Sequence, residues 1–73
     1  MDLKSRRIRT GKVVDCELLN VRATPEIMSE VVVVLMRGAE VDIVGNSFDD
    51  WYRIVTATGE IGYALKECIA VKG

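Results

Sequence analysis

Turn signals recur at short intervals along this chain, and they limit it to short extended segments. The signals are rich in Gly, Pro, Asn and Ser, and they stand at Thr24-Pro25, Arg37-Gly38, Gly45-Asn46-Ser47 and Thr58-Gly59. The segments between them are rich in Val, Ile, Thr and aromatic residues, which favour strands. Short strands at this spacing predict a small all-β barrel.

The sequence predicts extended segments over residues 12–16, 19–22, 31–36, 39–44, 51–56, 60–65 and 68–71. In the fourth segment, Glu40 and Asp42 alternate with Val41 and Ile43, which gives one solvent face and one core face. The segment Val31–Met36 does not alternate. We therefore expect it to be buried on both faces or strongly curved. Gly59 is expected to supply the positive φ of a tight hairpin turn.

The length of 73 residues allows one domain. Residues 1–10 are polar and basic without sustained periodicity, and we expect them to form a flexible tail or linker. The domain is predicted to start near Gly11 and to cover residues 11–73. A short solvated tail of this kind is not expected to bind nucleic acid or lipid.

Charge and hydropathy exclude two classes of partner. The net charge of −1 lacks the basic face that phosphate neutralisation needs, so no nucleic-acid partner is expected. The longest apolar run has six residues, Val31–Met36, against the roughly 20 needed to span a bilayer, so no membrane insertion is expected. No apolar stretch follows the basic N-terminus as in a signal peptide. The chain as it stands is therefore expected to be cytoplasmic, or associated with the cell wall if it belongs to a longer exported protein.

Two cysteines, Cys16 and Cys68, are too few for a disulfide framework and lack the spacing of metal ligands. We expect two ordinary buried thiols. The alternative is a disulfide between the first and last strands, which an oxidising compartment would permit.

Catalytic and metal-binding chemistry is poorly represented. The chain has no histidine, which removes Ser-His-Asp and Cys-His schemes and the commonest zinc ligand. Asp49 and Asp50 stand beside Asn46 and Ser47 but lack the full pattern of a calcium loop. We expect no enzyme activity, no cofactor and no metal, with a small hydrolase as the weakest alternative.

Several short motifs, taken in order, resemble the bacterial SH3 family. They are Leu19-Asn20-Val21-Arg22, then Pro25, then Val34-Leu35 with Gly38, Val41 and Gly45, then Trp51-Tyr52-Arg53-Ile54, and last Gly59-Glu60-Ile61-Gly62-Tyr63-Ala64. The resemblance covers residues 11–71. It implies an SH3-like, partly open barrel of five to seven antiparallel strands, with a long loop after the first motif.

The resemblance also implies a function. Such domains are commonly non-catalytic modules of cell-wall hydrolases, surface proteins and phage-related proteins, and several bind peptidoglycan or its peptides. We therefore expect a module that recognises a cell-wall peptide or muropeptide. The alternative is an intracellular or phage-derived domain that binds a protein partner through a sheet edge or its Val-rich surface. A monomer is expected.

The candidate ligand-binding residues are Trp51, Asp49, Asp50, Tyr63, Tyr52, Asn20 and Arg22. Alternation along 51–56 places Trp51 on the face opposite Tyr52 and Ile54, where an exposed indole would stack on a ligand. The alternative is an indole that seals the rim of the barrel. Asp49 and Asp50 would attract a ligand amine.

The two tyrosine hydroxyls would reach a ligand or satisfy a neighbouring group. Asn20 and Arg22 belong to the motif at the base of the long loop, where their side chains would bond the loop backbone. The C-terminal half also resembles eukaryotic SH3 domains, but Leu65 and Cys68 replace a groove proline and tyrosine of that family. Proline-rich ligands need those flat walls and are not expected.

Overall fold

The fold is a seven-stranded antiparallel sheet, seen in a computed structural model that describes residues 9–45 and 48–72. The strands are β1 (Arg9–Val13), β2 (Leu18–Arg22), β3 (Val31–Met36), β4 (Glu40–Ile43), β5 (Trp51–Thr56), β6 (Ile61–Leu65) and β7 (Ile69–Lys72). Their order in the sheet is β3-β2-β6-β5-β4-β1-β7. A single 3-10 turn, Lys66–Cys68, joins β6 to β7. The predicted all-β, SH3-like class is confirmed.

Alternation along the strands builds one apolar core. In β4 the side chains of Val41 and Ile43 are buried while Glu40 and Asp42 are exposed, as the sequence predicts. The core cluster consists of Val13, Leu19, Val21, Val41, Ile43, Ile54, Ala64, Cys68 and Ile69. Within the described residues, no helix is long and apolar enough to cross a membrane.

Two glycines meet specific backbone requirements in and beside β6. Gly59 has φ of 96° in the turn between β5 and β6, where its N–H donates to the Thr56 carbonyl oxygen at 2.9 Å. Gly62 faces β2 so closely that an added Cβ would lie 2.6 Å from Val21 Cγ1 and 2.8 Å from the Arg22 carbonyl oxygen. The close approach at Gly62 is therefore that of β2 to β6.

Strand β3 differs from its prediction. Its bounds agree, but most of its side chains are exposed, with Val33 and Leu35 half-buried. The expectation of burial on both faces is wrong because β3 is an edge strand that pairs with β2 alone. The register shift between Val21 and Arg22 marks a β-bulge that bends this pair of strands.

The N-terminal boundary lies earlier in the structure than in the prediction. Strand β1 begins at Arg9, and Arg9 and Thr10 pair with Ile43 and Asp42 of β4. Both residues were assigned to the tail because their sequence is polar. The remaining tail residues, 1–8, lie outside the described residues.

A disulfide joins Cys16, in the loop between β1 and β2, to Cys68 in the 3-10 turn. The Cα atoms are 5.8 Å apart, within the ordinary range for a disulfide. The preferred prediction of two free thiols is thus wrong, and the alternative pairing is the one found. The bond connects the two ends of the domain across 52 residues of sequence.

We expect this disulfide to contribute a large part of the free energy of unfolding. Closing a loop of this length restricts the unfolded chain, so the Cys16→Ser/Cys68→Ser variant should lose roughly 2–5 kcal/mol of unfolding free energy. Urea unfolding of the oxidised chain, the reduced chain and the variant measures this loss. Addition of reductant should leave the urea midpoint of the variant unchanged. Equal midpoints for oxidised and reduced chain would contradict the assignment.

The close contact at Gly62 predicts that a larger residue at this position lowers the free energy of unfolding. Gly62→Ala places a methyl group against Val21 and the Arg22 backbone, so we expect a loss of roughly 1–3 kcal/mol. Thermal unfolding followed by circular dichroism measures it. The control is Ala70→Val, which adds atoms to an exposed position of β7 and should shift stability by about 0.5 kcal/mol or less. Equal melting temperatures for Gly62→Ala and the wild type would show that β2 does not approach β6 this closely.

Candidate binding groove

A groove lies at β2, β5 and β6, and the core residues Leu19 and Cys68 form part of its wall. Its volume is about 200 Å³. The lining includes Leu18, Asn20, Arg22, Ile27, Trp51 and Leu65. Alternation explains the set, because each strand residue in it is next to one that enters the core, such as Leu19, Val21 or Ala64. Ile27 comes from the loop between β2 and β3.

Trp51 lies in this groove and not in the core cluster. The predicted face is therefore the observed one, opposite Ile54. The indole is only 8% exposed, however, so the expectation of an exposed indole is not met. Its register partner Leu65 and the loop residue Ile27 line the same groove. Trp51 thus forms a buried part of the groove surface, and a ligand would meet its edge.

Arg22 secures the long loop over residues 23–30. Its guanidinium Nη1 donates a hydrogen bond to the Ser29 carbonyl oxygen at 2.8 Å, which confirms the predicted bond to the loop backbone. The Ser29 hydroxyl accepts from the Thr24 N–H at 2.9 Å. Ala23 N–H also donates to the Glu30 carbonyl oxygen at 2.9 Å. The loop therefore has a closed base, and its tip presents Ile27 and the fully exposed Met28.

Asn20 lies on the same face of β2, two residues before Arg22. It is exposed and lines the groove. Its register partner on β3 is Val34. Its amide is thus placed beside any molecule in the groove, whereas the hydrogen bonds of the described residues do not include the predicted bond from Asn20 to the loop backbone.

The acidic turn before β5 leads to a second hollow. Phe48 and Trp51 exchange backbone hydrogen bonds at 2.9 and 2.7 Å, and Asp49 has φ of 49° in the turn between them. Both Asp49 and Asp50 are exposed, but only Asp50 lines the hollow. Asn46 and Ser47, which precede this turn, lie outside the described residues.

The second hollow adjoins the groove and has a volume of about 400 Å³. Leu65 and Glu67 line both spaces, so the two lie next to each other. Glu67 is a site residue that the sequence prediction missed. It sits in the 3-10 turn, and no motif marks where that turn lies relative to β5.

The two tyrosines lie on different faces. Tyr63 is opposite Arg22 and Arg53 on the outer face, and its ring makes an edge contact with Phe48 at 5.4 Å between centroids. Tyr52 packs against the core cluster instead, with Arg9 and Lys66 over its ring at 5.6 and 5.3 Å. The structure therefore brings Trp51, Asn20 and Arg22 together, places Asp50 and Tyr63 beside them, and separates Tyr52.

Charge is unevenly distributed along the groove. Arg22 lies toward the loop, and Glu67 with Asp50 lies toward the second hollow. Carboxyls with a lowered pKa lie elsewhere: the Lys72 ammonium lowers the pKa of Glu40 by hydrogen bonding, and the Thr56 and Thr58 hydroxyls lower that of Glu60 in the same way. Across residues 9–45 and 48–72, no cluster of three His, Cys, Asp or Glu side chains could hold a metal ion.

Comparison with known proteins decides the family. The family described as "Bacterial SH3 domain" matches residues 17–70, which is well over half of the chain. The chain belongs to the bacterial SH3 domain family. No curated protein matches it. The match includes the groove strands β2, β5 and β6 and the loop that carries Ile27, so most of the groove lies within the matched residues.

Two solved structures from Trichomonas vaginalis have a similar fold. NlpC2 and NlpC1 each superpose with a TM-score of 0.78 at 23% identity. Each alignment covers 90% of this SH3 domain but only 24% of the NlpC2 chain and 23% of the NlpC1 chain. This SH3 domain thus spans about a quarter of those proteins, and at this identity the likeness concerns the fold.

Burial of Trp51 is open to a direct test. Trp51→Ala should lose roughly 3–5 kcal/mol because a large buried ring is removed. Chemical unfolding measures the loss, and Ile61→Ala, an exposed position on the same face of β6, is the control. Trp51 is the only tryptophan, so its fluorescence in the folded wild type should resist quenching by acrylamide. Quenching as strong as in the unfolded chain would refute the burial.

Proposed function

We propose that this SH3 domain is a non-catalytic binding module whose groove holds a short peptide of the bacterial cell wall. The observation that carries the proposal is the groove itself, which combines the edge of Trp51, the exposed amide of Asn20 and the apolar side chains of Leu18 and Leu65. Pockets for small ligands typically join an apolar lining to a few polar groups that set orientation. Family membership supports a binding role.

The charges at the two ends of the groove suit a peptide with both an amine and a carboxylate. Glu67 and Asp50 line the second hollow together with Lys66, and the two carboxylates against one ammonium leave a net negative charge that favours a ligand amine. Arg22 lies toward the other end, where a ligand carboxylate is favoured. Stem peptides and cross-bridge peptides of peptidoglycan carry such groups. Because the groove is small and open to solvent, we expect weak binding that becomes effective when a second domain tethers the module.

Two further features support the proposal. One favours binding over catalysis, and the other favours an oxidising location. The chain has no histidine, so the common nucleophile and base pairs are absent from its sequence. The Cys16–Cys68 disulfide suits the cell exterior. We therefore propose that the module works at the cell wall as part of an exported protein.

The test is an NMR titration of the domain with muropeptides and with cross-bridge peptides. The indole N–H of Trp51 and the amide groups of Asn20 should shift as ligand is added. Glu67→Gln should raise the Kd for an amine-bearing peptide about two- to fivefold, the effect of one exposed charge pair. The matched control, Glu40→Gln, makes the same charge change outside the groove and should leave the Kd unchanged.

Absence of any shift near Trp51 at millimolar ligand would refute the proposal. Cleavage of purified peptidoglycan by the domain would refute its non-catalytic part. The alternative function is a protein-interaction or assembly domain, and one observation favours it: the exposed, Val-rich edge strand β3. Recovery of a protein partner, together with no chemical-shift change on addition of muropeptides, would favour that alternative.

A further inference from the structure

Strand β3 forms one edge of the sheet, and apart from the bulge near its start it has neither the charge nor the proline that commonly protects an edge. It pairs with β2 on one side only. Its six residues, Val31–Met36, include no charge and no proline. The other edge strand, β7, ends in Lys72, which forms an ion pair with Glu40. Exposed apolar edges without charge or proline are templates for pairing with another strand.

The hydrogen-bonding pattern shows which backbone groups of β3 face outward. Arg37 N–H donates to the Glu17 carbonyl oxygen at 3.0 Å, in register with the β2–β3 pairs. Antiparallel pairs alternate between bonded and non-bonded residues, so Val33 and Leu35 bond to β2. Val34 and Met36 therefore direct their backbone N–H groups away from the sheet. Their side chains are also well exposed, at 46% and 69%.

Charges at the two ends of β3 identify the strand that fits this edge. Glu30 immediately precedes β3, and Arg37 immediately follows it. Arg37 also forms an exposed ion pair with Glu17 at 3.4 Å, so a second copy would share its guanidinium with that pair. A second copy running antiparallel brings Glu30 of one chain to the same end as Arg37 of the other, at both ends of the pair. A parallel copy would bring like charges together. Since the two ends are complementary only in the antiparallel arrangement, the edge is complementary to itself.

We propose that two copies of this domain associate through β3, antiparallel, about a two-fold axis at Val34. The Val34 residues of the two chains then exchange both backbone hydrogen bonds, and Val32 of each lies opposite Met36 of the other. The alternation of outward-facing groups allows this register. It continues the sheet from one copy into the next and covers apolar side chains that are exposed in the single chain.

The association is expected to be weak. One six-residue strand per copy buries less than the roughly 1,200 Å² of a standard stable interface, so the dimer should form toward the millimolar range. This inference departs from the sequence-based expectation of a monomer. It is independent of peptide binding in the groove.

Sedimentation velocity of the 73-residue chain from micromolar to millimolar concentration tests the proposal. The mean mass should rise toward twice that of the single chain. Val34→Lys places two ammonium groups at the axis and should remain a monomer throughout. Val71→Lys, the same substitution on the opposite edge strand β7, where Val71 is 37% exposed, should dimerise as the wild type does. Circular dichroism should show both variants folded.

Charge exchange tests the antiparallel geometry. Glu30→Arg and Arg37→Glu should each weaken association by about two- to fivefold, and the double variant should recover it. Amide exchange at Val34 and Met36 should slow as concentration rises. A wild-type chain that stays monomeric at millimolar concentration would overturn the proposal, as would equal dimerisation of Val34→Lys or a double variant weaker than either single one.

Discussion

The close approach of Gly62 to Val21 is the contact on which the rest of the domain depends. Only one register pair, Arg22 with Tyr63, joins β2 to β6. The two-stranded unit β2–β3 is therefore attached to the other five strands along a short line, and that line is possible because position 62 has no side chain. Removal of this contact would leave Val21, a fully buried residue, without its cover.

The same contact creates the groove. Because β2 lies against β6 with its inner face in the core, Leu18, Asn20 and Arg22 share an outer face with Leu65 and Trp51. The loop after β2 then folds over this face, with Arg22 bonded to Ser29 at its base. At the opposite end of β2, the disulfide connects Cys16, just before the strand, to the 3-10 turn that carries Glu67. The groove thus forms where the two-stranded unit β2–β3 joins the other five strands.

Features with a local cause were predictable from the sequence. The bounds of β3 and β5, the alternation in β4 and the positive φ of Gly59 all follow from strand periodicity and turn chemistry. The outer position of Trp51 also follows from alternation. Its burial does not, because it depends on how residues distant in sequence, such as the register partner Leu65, are arranged around the indole.

The wrong predictions also concern features that depend on residues distant in sequence. The disulfide depends on where a loop after β1 meets a turn before β7, and an isolated sequence does not show this meeting. The exposure of β3 depends on strand order, since a run of valines suits a central strand and an edge strand equally. Tyr52 is a candidate because of its hydroxyl, yet alternation places it on the face opposite Trp51, where it packs against the core cluster. Sequence proximity is a poor guide to a surface built across strands.

Leu18 connects the two surfaces to which we assign functions. It lines the groove, and its register partner on β3 is Met36, on the free edge. Exposed apolar side chains therefore lead from Met36 on the edge of β3 through Leu18 to the groove. Pairing of two copies through β3 would bring their outer faces into one sheet and place two grooves side by side. If each groove binds a cell-wall peptide as we propose, the paired domains would bind a polymer such as peptidoglycan through two weak sites at once. Avidity would then rise without any new contact to each peptide.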